Sequence, residues 1–224
     1  MNYNKINNII KYIFGIPKSI YVNFRLLPFR DAIGLPIIVS SKTKLHSLRG
    51  EVKLSKKRLG IIRIGFGNVP IVDYSNERTI LNIEGTIYFH GKCKIGKASK
   101  ISVGKNAILE LGENFIISAK STIICSKKIT VGANCMFAWD SLIMDTDQHS
   151  IYDMQDNIIN EDKEITIGDK VWLGTRSIIL KGSIIPNNSI IAGNTLITQK
   201  HYKEKTIIAG NPPRVIKEDV VWKD

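Results

Sequence analysis

Cysteine is scarce: three residues in 224, Cys93, Cys125 and Cys135, with no Cys-x-x-Cys pair. An odd count without metal-ligand spacing argues against a disulfide framework and for a reducing compartment, with the thiols serving as small buried apolar groups. Histidine is nearly as scarce: His46, His90, His149 and His201. Four imidazoles so widely spread do not offer the three converging ligands of a catalytic zinc, and no metal is expected. No stretch approaches the roughly 18 consecutive apolar residues of a membrane span. The apolar run from Ile9 to Ile16 is short, is broken by Lys11, and lacks the small-residue cleavage pattern of a secretory signal. A cytoplasmic location is the expectation. Acids are missing where bases gather. Residues 1–60 hold twelve Lys and Arg against Asp31 and Glu51, so +10 of the net charge of +12 lies there. That asymmetry points to a polyanionic partner. The glycine–aromatic motifs of RNA-binding modules are absent, so no nucleic-acid partner is expected and an anionic membrane surface is preferred.

What is present is a period of six. Ile167, Leu173, Ile179, Ile185, Ile191 and Ile197 follow one another at six-residue intervals. A helix repeats its apolar face every 3.6 residues and a strand every 2, so this spacing is an internal repeat and decides the architecture. Small residues recur between the aliphatics at Ser177, Ser183, Ser189 and Thr195. With two-residue slips, the period extends upstream through Leu111, Ile117, Ile123 and Ile129. Each hexad supplies one short strand and a corner, and three hexads close a triangular coil. Coils stack about 4.8 Å apart. Ile167 is then expected to stack on Ile185, and Leu173 on Ile191. The regular hexads begin near Leu81, and less regular β-prone runs from Ile37 resemble the atypical first repeats of a solenoid.

The grid fails between Ile143 and Ile165. The polar, acidic insert at about 145–164 is expected to form a loop on one face, where repeat proteins often bind. The expected boundaries are a basic amphipathic extension over 1–36, a β-solenoid over 37–217 and a tail over 218–224. In the extension Ile6, Ile9, Ile10 and Ile13 share one face of a helix, punctuated by Pro17 and Pro28. That face suits either an interfacial anchor or packing on the solenoid or a second subunit. A short helix is expected after Pro212-Pro213.

The run from Ile165 to Gly182, with Trp172-Leu-Gly174 inside it, continues through Ile191-Ala-Gly-Asn194 to Ile208-Ala-Gly-Asn-Pro-Pro-Arg-Val-Ile-Lys217. These motifs resemble the hexapeptide-repeat acyltransferases, in the branch that acetylates maltose, galactosides and polysaccharides. The resemblance covers roughly Leu81 to Lys217. It implies an all-β fold, the left-handed parallel β-helix, and a homotrimer with active sites between subunits. It also implies acetyl-CoA as co-substrate and a hydroxyl of a bacterial cell-surface carbohydrate as acceptor. The alternatives are N-acetylation of a nucleotide-linked amino sugar and a non-catalytic scaffold.

The candidate chemistry follows from the break and the motifs. A sugar hydroxyl is barely ionised at neutral pH, so its attack on a thioester needs a base, and imidazole titrates in the right range. His149, in the insert, is the candidate base. Asp145 and Asp147 flank it, and either could orient the ring as the acid of a triad does. By resemblance, Asn134, Trp139, Asp140 and Trp172 belong to the acceptor site. Asp140 stands where relatives often carry Asn. Trp172 is also implied as a wall of the pantetheine groove, with Gly174, Thr175, Gly193 and Thr198. Lys200, Arg214 and Lys217 are implied to hold the nucleotide phosphates. No candidate covalent nucleophile accompanies them, so direct transfer in a ternary complex is expected.

Overall fold

A computed structural model describes residues 3–67, 69–70, 72–73, 76–198 and 201–223, the first seven of them as backbone only. From Ile37 onward the chain winds into a parallel β-helix with three faces. The first face runs from Ile37–Val39 to Arg214–Lys217, the second from Lys44–Leu48 to Leu196–Ile197, and the third from Glu51–Leu54 to Ile184–Ile185. Strands stack face on face in register, apart from shifts at Leu45–Ser47 and at Ile207–Ile208. Ile167 pairs with Ile185 and Leu173 with Ile191, as the six-residue spacing predicts. Upstream, Ile117 lies over Phe137 and Ile123 over Ile143.

The core is one continuous column. Ile95, Ile117, Phe137, Leu173, Ile191 and Ile208 fill it along the first face, all buried. Burial of each such side chain contributes roughly 1.5–3 kcal/mol. Phe115 and Phe137 meet edge to face at 4.8 Å, widening the column where the coils are longer. The corner hydroxyls turn inward and bond the bends. Ser177 Oγ donates to the Gly174 carbonyl at 2.6 Å and Ser183 Oγ to that of Leu180 at 2.6 Å. Every thiol is buried. Burial alone lifts Cys93 far above the ordinary thiol range and, as the main cause, pushes Cys135 up to about 12. Neither is a ready nucleophile.

At the amino-terminal end, helix α1 (Tyr3–Leu26) lies along the open edge of the strand Ile37–Val39, joined to it by the short α2 (Phe29–Ala32). Pro17 lies within α1 and does not end it. Its missing N–H falls on the exposed side of the helix, where a lost bond is cheapest. The contact face is mixed: Val22 and Leu26 join the core, and Gly15, Ser19 and Asn23 meet the strand edge. Asn23 Nδ2 donates to the Ile37 carbonyl at 2.6 Å, while Ile37 N donates to Asn23 Oδ1 at 3.1 Å and Val39 N to Ser19 Oγ at 2.8 Å. These side chains stand in for a missing strand and cap a sheet edge that would otherwise template aggregation. Of the readings open for the apolar face, packing on the solenoid of the same chain is not what the described side chains do: Ile10, Ile13, Phe14, Ile20 and Phe24 are exposed. Ile6 and Ile9 have side chains outside the described residues.

The carboxyl-terminal end departs from expectation too. Among the described residues no helix follows Pro213. Gly210, at φ +97°, turns the chain back, and Arg214–Lys217 adds antiparallel to Ile207–Ala209. A sheet edge was available, and a four-residue segment gains more from pairing than from an isolated helical turn. Among the described residues no helix is long and apolar enough to cross a membrane.

Candidate active site

The interrupted coil becomes a clamped loop. Residues 145–164 leave the second face after Leu142–Met144 and return to the third face at Ile165–Ile167. Asp145 is fully buried at the root of this loop. Its Oδ1 accepts from Ser126 N at 2.6 Å and its Oδ2 from Lys127 N at 2.9 Å, so the carboxylate satisfies the corner one coil earlier. It is therefore a tie between coils, and its oxygens are not turned to His149. Asp147 accepts from Lys181 Nζ at 2.6 Å and from Asn160 Nδ2 at 2.9 Å. The Lys181 ammonium, with help from Asn160, holds its carboxyl below the usual range. Asn160 Nδ2 also donates to the His149 carbonyl at 2.8 Å, and Asn160 Oδ1 accepts from Ile151 N at 2.6 Å. Asp147 thus fixes the backbone that presents the exposed His149, and no bond joins either aspartate to the imidazole.

Lys181 and Asn160 carry this clamp, and sequence reasoning missed both. A signal for Lys181 existed: Met144 is in register with Leu180, which places Lys181 one coil from Asp145. Nothing in the spacing marked Asn160.

The remaining candidates fall on the other two corners. At the bend from third face to first, Asn134 is exposed and lies at φ +57°. Asn114, Lys170 and Asn188 occupy the same left-handed position in other coils, at φ +58°, +52° and +58°. Asn tolerates this conformation better than most residues, which gives Asn134 a structural task in addition to any contact with an acceptor. Asn114 Nδ2 donates to Asn134 Oδ1 at 3.1 Å. Trp172 opens the next strand on this bend, 38% exposed, and lies 6.2 Å from Trp222. Trp222 Nε1 donates to the Lys170 carbonyl at 2.7 Å, which fixes the tail beside Trp172. No pattern pointed to Trp222.

At the bend from first face to second, Trp139 is partly buried against Val72, Ala98 and Ala119, and Asp140 is exposed beside it at φ +56°. Gly174 lies one coil further on. A Cβ there would stand 2.7 Å from Gly193 N and 2.8 Å from the Ile191 carbonyl oxygen. The close approach that requires glycine is therefore that of the neighbouring coil. Thr175 O accepts from Asn194 N at 2.9 Å, whereas Thr175 N and Gly193 N donate to no group among the described residues. Thr198 follows the second face and is half-buried. Arg214 and Lys217 are exposed on the added edge strand. Lys200 lies outside the described residues. Among the described residues no group of three or more His, Cys, Asp or Glu gathers to hold a metal.

One chain thus places His149, with Asp145, Asp147 and Thr198, on one corner; Asn134 and Trp172 on a second; and Trp139, Asp140, Gly174, Thr175 and Gly193 on the third. It does not bring His149 and Trp172 together.

The stacked hexads and the interrupted coil form a β-helix of the left-handed, hexapeptide-repeat kind, similar to that of the hexapeptide-repeat acetyltransferases. No protein-family model matches it. Its relatives include the polysialic acid O-acetyltransferase of Escherichia coli O1:K1 / APEC, 43% identical over 95 residues, which cover 42% of this chain and 31% of that protein. The polysialic acid O-acetyltransferase of Neisseria meningitidis is 42% identical over 95 residues, covering 42% of this chain and 44% of that protein. The chain therefore matches less than half the length of either relative. The crystal structure of the polysialic acid O-acetyltransferase OatWY superimposes with a TM-score of 0.54 at 26% identity, over 82% of this chain and 88% of that one.

Proposed function

We propose that the protein is an acetyl-CoA-dependent O-acetyltransferase acting on a hydroxyl of a bacterial capsular or other cell-surface polysaccharide. The observation that carries this reading is the clamp on the 145–164 loop. Lys181, Asn160 and Asp147 hold the backbone of His149 at a fixed corner while its side chain stays exposed, as an acceptor hydroxyl requires. His149 takes the hydroxyl proton as that oxygen attacks the acetyl carbonyl. The carbon–sulfur bond breaks, and the imidazolium returns the proton to the departing thiolate, so the base is regenerated. Acetyl-CoA fits the available groups. Thr175 N–H and Gly193 N–H serve the pantetheine arm, Trp172 and Thr198 reach it from the other corners across the subunit boundary, and the exposed Arg214 and Lys217 serve phosphates. Asn134, Trp139 and Asp140 border the acceptor.

The division of these groups among three corners supports a homotrimer. In a threefold assembly one subunit's His149 corner faces another subunit's Trp172 bend. The reaction belongs on the cytoplasmic side, with the basic amino-terminal extension against the inner membrane face. His149→Ala is expected to lower kcat for acetyl transfer by about 10²–10⁴ with melting temperature and CoA binding unchanged. Turnover at the wild-type rate would exclude His149 as the base. A monomer by light scattering would exclude the shared site.

A further inference from the structure

Helix α1 is apolar on two sides. Gly15, Ser19, Val22, Asn23 and Leu26 face the solenoid, yet Ile10, Ile13, Phe14, Ile20, Tyr21 and Phe24 face outward. Lys11, Lys18 and Arg25 repeat every seven residues and flank that apolar stripe, and residues 1–30 contain no acid. The second observation is a cleft of about 730 Å³ beneath the overhanging start of α1. Seven basic side chains line it, among them Lys11, Arg58, Arg63, Lys94 and Lys97, and among the described residues no carboxylate does. Tyr12 roofs it, stacked on Phe66 at 4.4 Å with the Arg63 guanidinium 5.7 Å from its ring centre. Lys97 is buried within the cleft, and that burial, followed by the charges of Lys11 and Lys42, lowers it to about 8. A cluster that repels itself in this way is relieved by a bound anion.

We propose that α1 lies flat on an anionic membrane with its apolar stripe in the lipid, and that the cleft beneath it receives a phosphate-bearing lipid headgroup. This rests on the extension being the membrane contact of the proposed enzyme. The dimensions agree. An interfacial helix sinks its apolar face about 5–10 Å past the headgroup boundary. A helix is about 10 Å across. Cations on its far side therefore stand at the level of the phosphates. Lys11 belongs to both features, since it edges the stripe and lines the cleft. An acidic glycan would explain the cleft alone and leave the isoleucines and phenylalanines in water. A lipid surface explains both, and supplies the two signals, apolar insertion and basic attraction, that stable attachment requires.

The test is co-sedimentation of the full chain with phosphatidylcholine vesicles, with and without phosphatidylglycerol. The full chain should bind the anionic vesicles at least tenfold more tightly, and less tightly as salt rises. F14S/F24S and R58E/K94E, all at exposed positions, should each weaken binding at least tenfold. The control K100E/K105E, with the same change of charge on the next face and corner of the coil, at residues that do not line the cleft, should stay within about twofold. Loss in F14S/F24S but not in R58E/K94E would overturn the headgroup site and leave the membrane contact standing. Equal loss in R58E/K94E and the control would also overturn it, because a diffuse field would then suffice. Absence of vesicle binding by the full chain would overturn both the site and the contact. Capture of a soluble acidic oligosaccharide, abolished by R58E/K94E and without vesicle binding, would reassign the cleft to a glycan.

Discussion

The outer surface of the first face changes character along its length, while its inner surface does not. After Ile38 on the first strand, one register position reads Arg63 and Lys94 on the early coils, then Ile116, Met136, Trp172, Ile190 and Ile207 on the later ones. The next residue inward reads Ile64, Ile95, Ile117, Phe137, Leu173, Ile191 and Ile208, all buried. A strand points alternate side chains to opposite faces, so stacking constrains one set and leaves the other open to ligands. The same frame therefore carries a basic cleft at one end and a tryptophan bend at the other.

The strongest way to break this comparison is from inside. Phe137→Ala should cost about 3–5 kcal/mol, read as a lower urea midpoint. Its outward neighbour Met136→Ala should stay within about 0.5 kcal/mol. Equal losses would show that the outer set shares in holding the frame. Next in size is the root of the loop. Asp145→Ala leaves the N–H groups of Ser126 and Lys127 without their acceptor and should cost about 3 kcal/mol. Protease cleavage within 145–164 should rise, while vesicle binding at the far end should not change. Arg214→Ala should raise the KM for acetyl-CoA about tenfold, as loss of a charge-assisted bond would, and leave the KM for the acceptor unchanged. The reverse pattern would remove Arg214 from the nucleotide end.

The smallest effect is with pH. The Asp147 carboxyl is held low by Lys181. Its contribution to the loop is therefore present above the unfolded value, near 3.9, and is lost as pH falls through the lower folded value. Pepsin should begin to cleave the loop below about pH 4, before the coils unfold. Asp147→Asn should remove that dependence, and an unchanged profile would sharpen attention onto Asn160 instead.

The period of six was sufficient to predict the coil, its inward residues and the register of Ile167 on Ile185, because stacking equivalent residues is a local repeat requirement. The failure of the grid located the loop for the same reason. Partners separated by a coil were not legible. Asp145, beside His149 in sequence, turns to Ser126 and Lys127 across 19 and 18 residues. Gly174 is small because of Gly193 on the next coil, a distance that no motif expresses. Nor did hydropathy reveal that α1 would turn its serine and asparagine inward. That depended on an open sheet edge whose unpaired groups Ser19 and Asn23 satisfy. The tail became a strand for a similar reason, since an edge was waiting beside Ile207–Ala209.

The sequence alone therefore determined the frame and the position of its interruption, since both follow from side-chain spacing along one strand. Only the tertiary structure decided what each polar residue does, because hydrogen-bond partners are set by which coil, corner or edge lies within about 3 Å.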